Sequence, residues 1–332
     1  MFSYRHAFHA GNHADVLKHT TLLAVLRHMV QKDTAIHCFD SHAGAGLYRL
    51  DGDYAQTSGE ATQGFLQLLT GLGGASKNSE QNSAPVHIGQ ALAATKNISD
   101  QATANAANVG QGPPPALQDY LDLVASFNQP GSHKVYPGSP FIIQRLLRER
   151  DRLRLFELHP TDAKTLKANV AQLDAGRLVT VLQEDGFEGL KKFLPPPSRR
   201  ALVLCDPSYE LKTDYGRVVE MMTDALRRFA TGTYLVWYPI IPRPEAHDLP
   251  RKLKTLARRE GRPWLNATLT VKSSKLGHDE AGQVVRPGLP ASGMFVINPP
   301  HTLAATLSAI LKPVAEVLAQ SKNKAFEVET GT

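Results

Sequence analysis

From Gly138 onward the chain alternates short apolar runs with stretches of helical periodicity, and this alternation restricts the fold more than any other feature. Residues 152–158, 178–183, 201–206 and 233–239 read as strands, and 162–173, 186–193, 215–229 and 250–259 as helices. Strands joined through helices run parallel, and near-continuous apolar strands are buried on both faces. The pattern therefore predicts an α/β fold, a mainly parallel sheet with helices on both sides. The last two apolar runs, 267–272 and 293–298, have no helix between them and predict an antiparallel hairpin at one edge. A closing helix is expected over 303–318.

The N-terminal part fits the same plan. Residues 12–31 predict an amphipathic helix, capped by Asn12 and carrying Val16, Leu17, Leu22, Leu23, Leu26 and Met29 at helical spacing. A short buried strand, 36–40, then ends in the glycine-bearing turn Ser-His-Ala-Gly-Ala-Gly. Residues 73–115 are dominated by Gly, Ala, Ser, Asn, Gln and Pro, and read as a disordered stretch. They lie within a helical insertion, 51–135, that interrupts one domain made of 1–50 and 136–332.

Composition excludes several classes. With 42% hydrophobic and 20% charged residues the chain is globular. No apolar run approaches the roughly 20 residues of a membrane-spanning helix, and the first residues lack a secretory h-region. Cys38 and Cys205 sit in apolar runs and read as buried thiols of a reducing, cytoplasmic compartment. The net charge of +6 suits an anionic partner without demanding one. A basic cluster, Arg243, Arg251, Lys252, Lys254, Arg258, Arg259 and Arg262, reads equally as a solvated helix face or as phosphate contacts. His9 and His13 have a spacing that metal-binding helices use, but no cysteine is near, and no metal site is expected.

In open α/β sheets ligands bind beyond the carboxyl ends of the strands. Four such ends carry chemistry: Asp40 with Gly44 and Gly46, then Glu157, then Asp185-Gly186, then Asp206-Pro-Ser-Tyr-Glu. A carboxylate at the second position can accept from both hydroxyls of a ribose. Asp185 can accept from an adenine amine. Together these ends describe a nucleoside-cofactor site.

The stretch Asp206-Pro207-Ser208-Tyr209 is the most informative. An exocyclic adenine amine is a poor nucleophile because its lone pair is delocalised into the ring. The Asp206 carboxylate and the Pro207 carbonyl can accept its two N–H bonds and localise the lone pair for in-line attack. Tyr209 offers a face on which an extracted base can stack, worth about 1–3 kcal/mol. A base must leave its stack to reach such a pocket.

Taken together, DPSYELK, DSHAGAGLY, YPGSP, FELHP and the opening YRHAFHAGNHADVLKH resemble the RlmJ family, bacterial 23S rRNA adenine-N6 methyltransferases that use S-adenosylmethionine. The resemblance implies a class I Rossmann-like methyltransferase domain with an inserted helical subdomain. By that resemblance His19 and His42 contact the methionine part of the cofactor, with Lys18 nearby, and Ser139 binds the cofactor as well. Glu157 holds the ribose, while Asp185 and Gly186 border the adenine. Asp206 binds the substrate amine and accepts its proton, and Tyr4 touches the RNA. One departure is local: Ser208 stands where the family has a second proline.

Three other readings compete. The same motif serves adenine-N6 methyltransferases of DNA or of another RNA. A nicotinamide-dependent oxidoreductase would explain the glycine turn and Glu157 but leave Asp206–Tyr209 idle. A non-catalytic RNA-binding protein of ribosome assembly is the third. Of oligomeric states, a monomer is favoured.

Overall fold

The computed structural model describes residues 6–52, 57–72, 112–173, 175–274, 277–278, 284–285 and 288–332. Of the low-complexity stretch, 73–111 lie outside the described residues.

The first strand, β1 (His37–Asp40), is followed by a small antiparallel ladder of β2 (Leu47–Arg49) with β3 (Val135–Pro137). Then come β4 (Arg152–Phe156), β5 (Val179–Leu182), β6 (Ala201–Cys205), β7 (Thr233–Ile240) and β8 (Trp264–Thr270). A two-residue ladder, β9 (Gly277–His278) with β10 (Val284–Val285), precedes β11 (Ala291–Ile297) and β12 (Ala325–Gly331). The main sheet has eight strands in the order β12-β8-β11-β7-β6-β1-β4-β5. From β7 to β5 all neighbours are parallel. The antiparallel pair β8–β11 lies on one side of the sheet, as the missing helix between them predicts. One strand is added beyond the expectation: β12 pairs with β8 and forms the outer edge. Its Phe326 and Val328 alternate with Glu327 and Glu329 and are only partly buried, so it carries no long apolar signal.

Alternation along each strand feeds two separate cores. Cys38, Leu202, Leu204 and Leu235 point into one, and Phe39, Val203, Cys205, Tyr234 and Val236 into the other. The first core is covered by α1 (His13–Met29), α2 (Phe65–Gly71), α3 (Pro115–Ala125), α4 (Ser139–Leu146), α5 (Pro160–Ala171) and, at the end of the chain, α9 (Leu303–Val317). The second is covered by a short turn of helix α6 (Gly186–Gly189), then α7 (Thr213–Arg228) and α8 (Pro244–Arg259). Each fully buried aliphatic or aromatic side chain contributes about 1.5–3 kcal/mol relative to exposure. Helices α2 and α3, from the 51–135 segment, supply Phe65, Leu68, Leu117, Tyr120 and Val124 to the first core and share it with α1. Among the described residues no helix is long and apolar enough to cross a membrane.

Helix α1 departs from its expected character. Asn12 caps it, its side-chain oxygen accepting from the Asp15 N–H at 2.9 Å. Yet the helix is buried over nearly all its length, including Asp15, Lys18 and His19. Helices α3, α4 and α9 pack around it, so the polar side of an expected amphipathic helix lies inside the protein. Such charges persist only where they are paired.

The strand order reverses at β1, which has β6 on one side and β4 on the other. This is the place where an open sheet leaves a crevice beyond its carboxyl ends.

Candidate active site

Four adjacent strands, β6, β1, β4 and β5, bring their carboxyl ends to one cavity of about 370 Å³, within the range of small-molecule sites. Lys18, His42, Gly44, Ser139, Glu157, Asp185, Gly186, Asp206 and Pro207 all line it.

The loop after β1 is shaped by its acids. Asp40 is fully buried and accepts from Ser139 Oγ at 2.7 Å, so Ser139 is tied to the strand end as well as to the cavity wall. Burial pushes the Asp40 carboxyl up to about 6, and the neighbouring Asp206 charge adds to this. Gly44 has a φ of +61°, a left-handed conformation that favours glycine. Its N–H donates to Glu157 Oε2 at 2.8 Å, and the His159 N–H donates to Glu157 Oε1 at 2.7 Å. Both Glu157 oxygens are thereby oriented, and each keeps a lone pair for a ligand hydroxyl. Burial raises the Glu157 carboxyl above its ordinary value. His42 is bonded through Nδ1 to Ser41 Oγ at 2.8 Å, and burial holds it down at about 4, so its ring is neutral near pH 7.

At the end of β5, Asp185 caps α6, accepting from the Phe187 N–H at 2.9 Å. Its second oxygen takes a 2.6 Å ion pair from Arg217. The Arg217 guanidinium lies 4.2 Å from the Phe187 ring centroid. A side chain at Gly186 would run into the Ser41 carbonyl, so the two loops touch backbone to backbone.

The end of β6 carries Asp206. Lys18 Nζ lies 2.6 Å from Asp206 Oδ2 and 2.8 Å from Asp15 Oδ1. Burial alone would lower the Lys18 ammonium; the two carboxylates outweigh it and hold it well above its ordinary value. Asp15 is further bonded by the Gly11 N–H at 2.9 Å and by His6 Nε2 at 3.1 Å. Burial opposes its charge, but His6 and Lys18 keep its carboxyl well below the usual range. Ser208 Oγ accepts from the Glu210 N–H at 3.4 Å, a side-chain turn at the place of the family's second proline.

Three expected residues do not reach the cavity. Tyr209 has a φ of +53°, which turns its ring inward. The ring is buried against Tyr215 and Trp237, and its hydroxyl donates to the Trp237 carbonyl at 2.6 Å. It offers no exposed face for stacking and instead anchors the loop. His19 is fully buried behind the site, bonded through Nδ1 to the Tyr136 hydroxyl at 2.9 Å, and burial pushes it down to about 3. Gly46 serves a turn: its carbonyl accepts from the Gly138 N–H at 2.8 Å, and a Cβ there would meet Phe141 and Leu166. Tyr4 lies outside the described residues.

Other expectations resolve elsewhere in the molecule. His9 is bonded to Glu60 Oε2 at 3.0 Å and His13 Nε2 donates to the Leu289 carbonyl at 3.0 Å, so the two point to different partners. In the basic cluster, Arg251 pairs with Asp248, Lys254 with Glu329 and Arg259 with Glu260. Arg243 donates to the Tyr209 carbonyl at 3.2 Å. None of the cluster lines the cavity.

Sequence reasoning missed His6, Leu158, Phe187, Leu211 and Arg217, all of which line the cavity. His6 had a signal, as one of seven histidines in the first 42 residues. Arg217 had none; it arrives from the first turns of α7.

Comparison with known proteins places these features in context. The sequence model described as "Ribosomal RNA large subunit methyltransferase D, RlmJ" matches residues 106–329. A ribosomal RNA large subunit methyltransferase J of Escherichia coli is 36% identical over 311 residues, covering 94% of this chain and 92% of the relative. That of Haemophilus influenzae is 34% identical, covering 99% and 98%. A crystal structure of a Legionella pneumophila protein superposes with a TM-score of 0.74 at 26% identity, covering 98% of this chain and 99% of that one.

Proposed function

The chain belongs to the RlmJ family of ribosomal RNA large subunit methyltransferases, and from that premise we propose that it methylates N6 of an adenine in 23S ribosomal RNA, in the cytoplasm, with S-adenosylmethionine as donor. The observation that carries this reading is the convergence of Asp206 and Pro207 with Glu157 and Asp185 on one cavity.

The residues present fit such a donor. The cavity has the volume of a small-molecule site, and Glu157 is held by two backbone N–H groups with lone pairs left over for ribose hydroxyls. Asp185, Gly186 and Phe187 line the same cavity and would border the donor's adenine. Bound there, S-adenosylmethionine supplies an electrophilic methyl group on a sulfonium.

The chain itself supplies orientation. Lys18 fixes Oδ2 of Asp206, which leaves Oδ1 for an N–H of the substrate amine. The Pro207 carbonyl accepts the other N–H. With both N–H bonds engaged, the nitrogen lone pair would point at the methyl carbon. The new C–N bond would replace the carbon–sulfur bond, whose electron pair stays on sulfur, and Asp206 would take the amine proton.

The test is transfer of a tritiated methyl group to protein-free 23S rRNA, to a hairpin fragment and to duplex DNA side by side, followed by mapping of the modified base. Asp206→Ala is expected to abolish transfer while binding of S-adenosylmethionine, read by calorimetry, persists. A fully active variant would contradict the role, and methylation of DNA alone would reassign the substrate.

A further inference from the structure

Among the described residues two large hydrophobic side chains stand exposed, Leu158 at 45% and Leu211 at 64%. Isolated surface leucines need no explanation, but both of these line the same cavity. They belong to different loops. Leu158 follows Glu157 at the end of β4, on the side read above as the ribose side. Leu211 lies in the loop that carries Asp206 and Pro207.

That loop has a particular construction. Tyr209 is anchored inward by its hydroxyl on the Trp237 carbonyl and by Arg243 on its own carbonyl. The Leu211 carbonyl accepts from the Asp214 N–H at 3.0 Å, where the chain enters α7. Leu211 is thus exposed yet held at both sides. Between 206 and 212 the ring of Tyr209 and Pro207 are buried, while Ser208, Glu210 and Lys212 are polar. Leu211 is the exposed apolar side chain of the loop. A planar heterocycle whose amine reaches Asp206 and Pro207 needs an apolar surface against its face, because it has left the stack that covered it.

We propose that Leu211 packs on the face of the extruded adenine and holds it against the acceptors at Asp206 and Pro207. It is a substrate-positioning residue, taking the part that the sequence motif suggests for Tyr209. The proposal rests on the adenine-N6 reading above.

The experiment compares wild type, Leu211→Ala and Leu211→Phe on an RNA hairpin containing the adenine that wild type methylates. Leu211→Ala is expected to lower kcat/KM for RNA about tenfold, the effect of removing most of one buried leucine contact, with calorimetric affinity for S-adenosylmethionine unchanged. Leu211→Phe restores the rate, since an aromatic face covers a base as well. In a second hairpin 2-aminopurine, which lacks the reacting amine, replaces that adenine; its fluorescence rises as it leaves the stack. The rise is expected to be smaller with Leu211→Ala. Wild-type kinetics and fluorescence in Leu211→Ala overturn the proposal, as does a loss confined to cofactor affinity. A wild-type chain that methylates no adenine at all overturns the underlying reading, and is distinguishable because it fails before any variant is compared.

Discussion

Lys18 and Asp206, separated by 188 residues of chain, meet at 2.6 Å between Nζ and Oδ2. The same ammonium lies 2.8 Å from Asp15 Oδ1, so one buried cation joins the first helix to the loop at the end of β6. Removing one partner of such a group strands the other charge, whereas removing both is far milder.

Lys18→Met is therefore expected to destabilise the protein by roughly 1–3 kcal/mol, because the buried Asp15 loses its ammonium partner and is left with His6 and the Gly11 N–H. Adding Asp15→Asn recovers part of that loss in urea unfolding. Methyl transfer does not recover with it, since Asp206 still lacks the group that orients Oδ2. Equal recovery of stability and activity would make the pair purely structural.

Glu157→Gln tests the ribose assignment. An amide presents only one acceptor, so one of the N–H groups of Gly44 and His159 loses its partner and the side chain turns. The KM for S-adenosylmethionine is expected to rise about tenfold or more, the worth of one hydrogen bond to a charged group. Little change in kcat accompanies it. An unchanged KM would move the ribose away from this residue.

Gly186→Ala places a methyl group against the backbone of Ser41, which cannot swing aside as a side chain tip would. A cost of about 1–3 kcal/mol follows from the forced separation of the two loops. It is read as a lower urea midpoint together with weaker cofactor binding. Wild-type behaviour in both would mean that the two loops separate freely.

His19 governs part of the acid response. Its ring is held at about 3 by burial, against an ordinary 6.5. Below pH 6.5 the unfolded chain takes up a proton that the folded one refuses. The contribution is fully present above pH 6.5 and falls away toward pH 3. Between pH 7 and 5 this removes about 2 kcal/mol of stability. His19→Asn lacks the proton site, so its unfolding free energy should fall less over that interval. Asp40, pushed up to about 6, acts in the opposite sense in both proteins and cancels from the difference. Parallel pH profiles for the two would disprove the burial argument.

The four strand ends were legible because each is a local signal: an apolar run stops and an acid or a glycine follows. Asp40, Glu157, Asp185 and Asp206 fall where that rule puts them, and the parallel sheet sets their ends side by side. The burial of α1 was not legible, since helical spacing counts apolar residues on one face and is blind to α3, α4 and α9 packing on the others. Nor was β12, where two apolar residues alternate with glutamates.

Sequence alone thus determined the alternating architecture and the acids and glycines that follow its strands, because periodicity and strand termini are properties of neighbouring residues; the strand order, with its reversal at β1, came from tertiary pairing. Tertiary structure decided which way Tyr209 turns, that His19 lies behind the site and His6 in it, that Arg217 holds Asp185, and that Lys18 pairs with Asp206. These are contacts between segments far apart in the chain, and their energies depend on burial and on charges that no local pattern of residues contains.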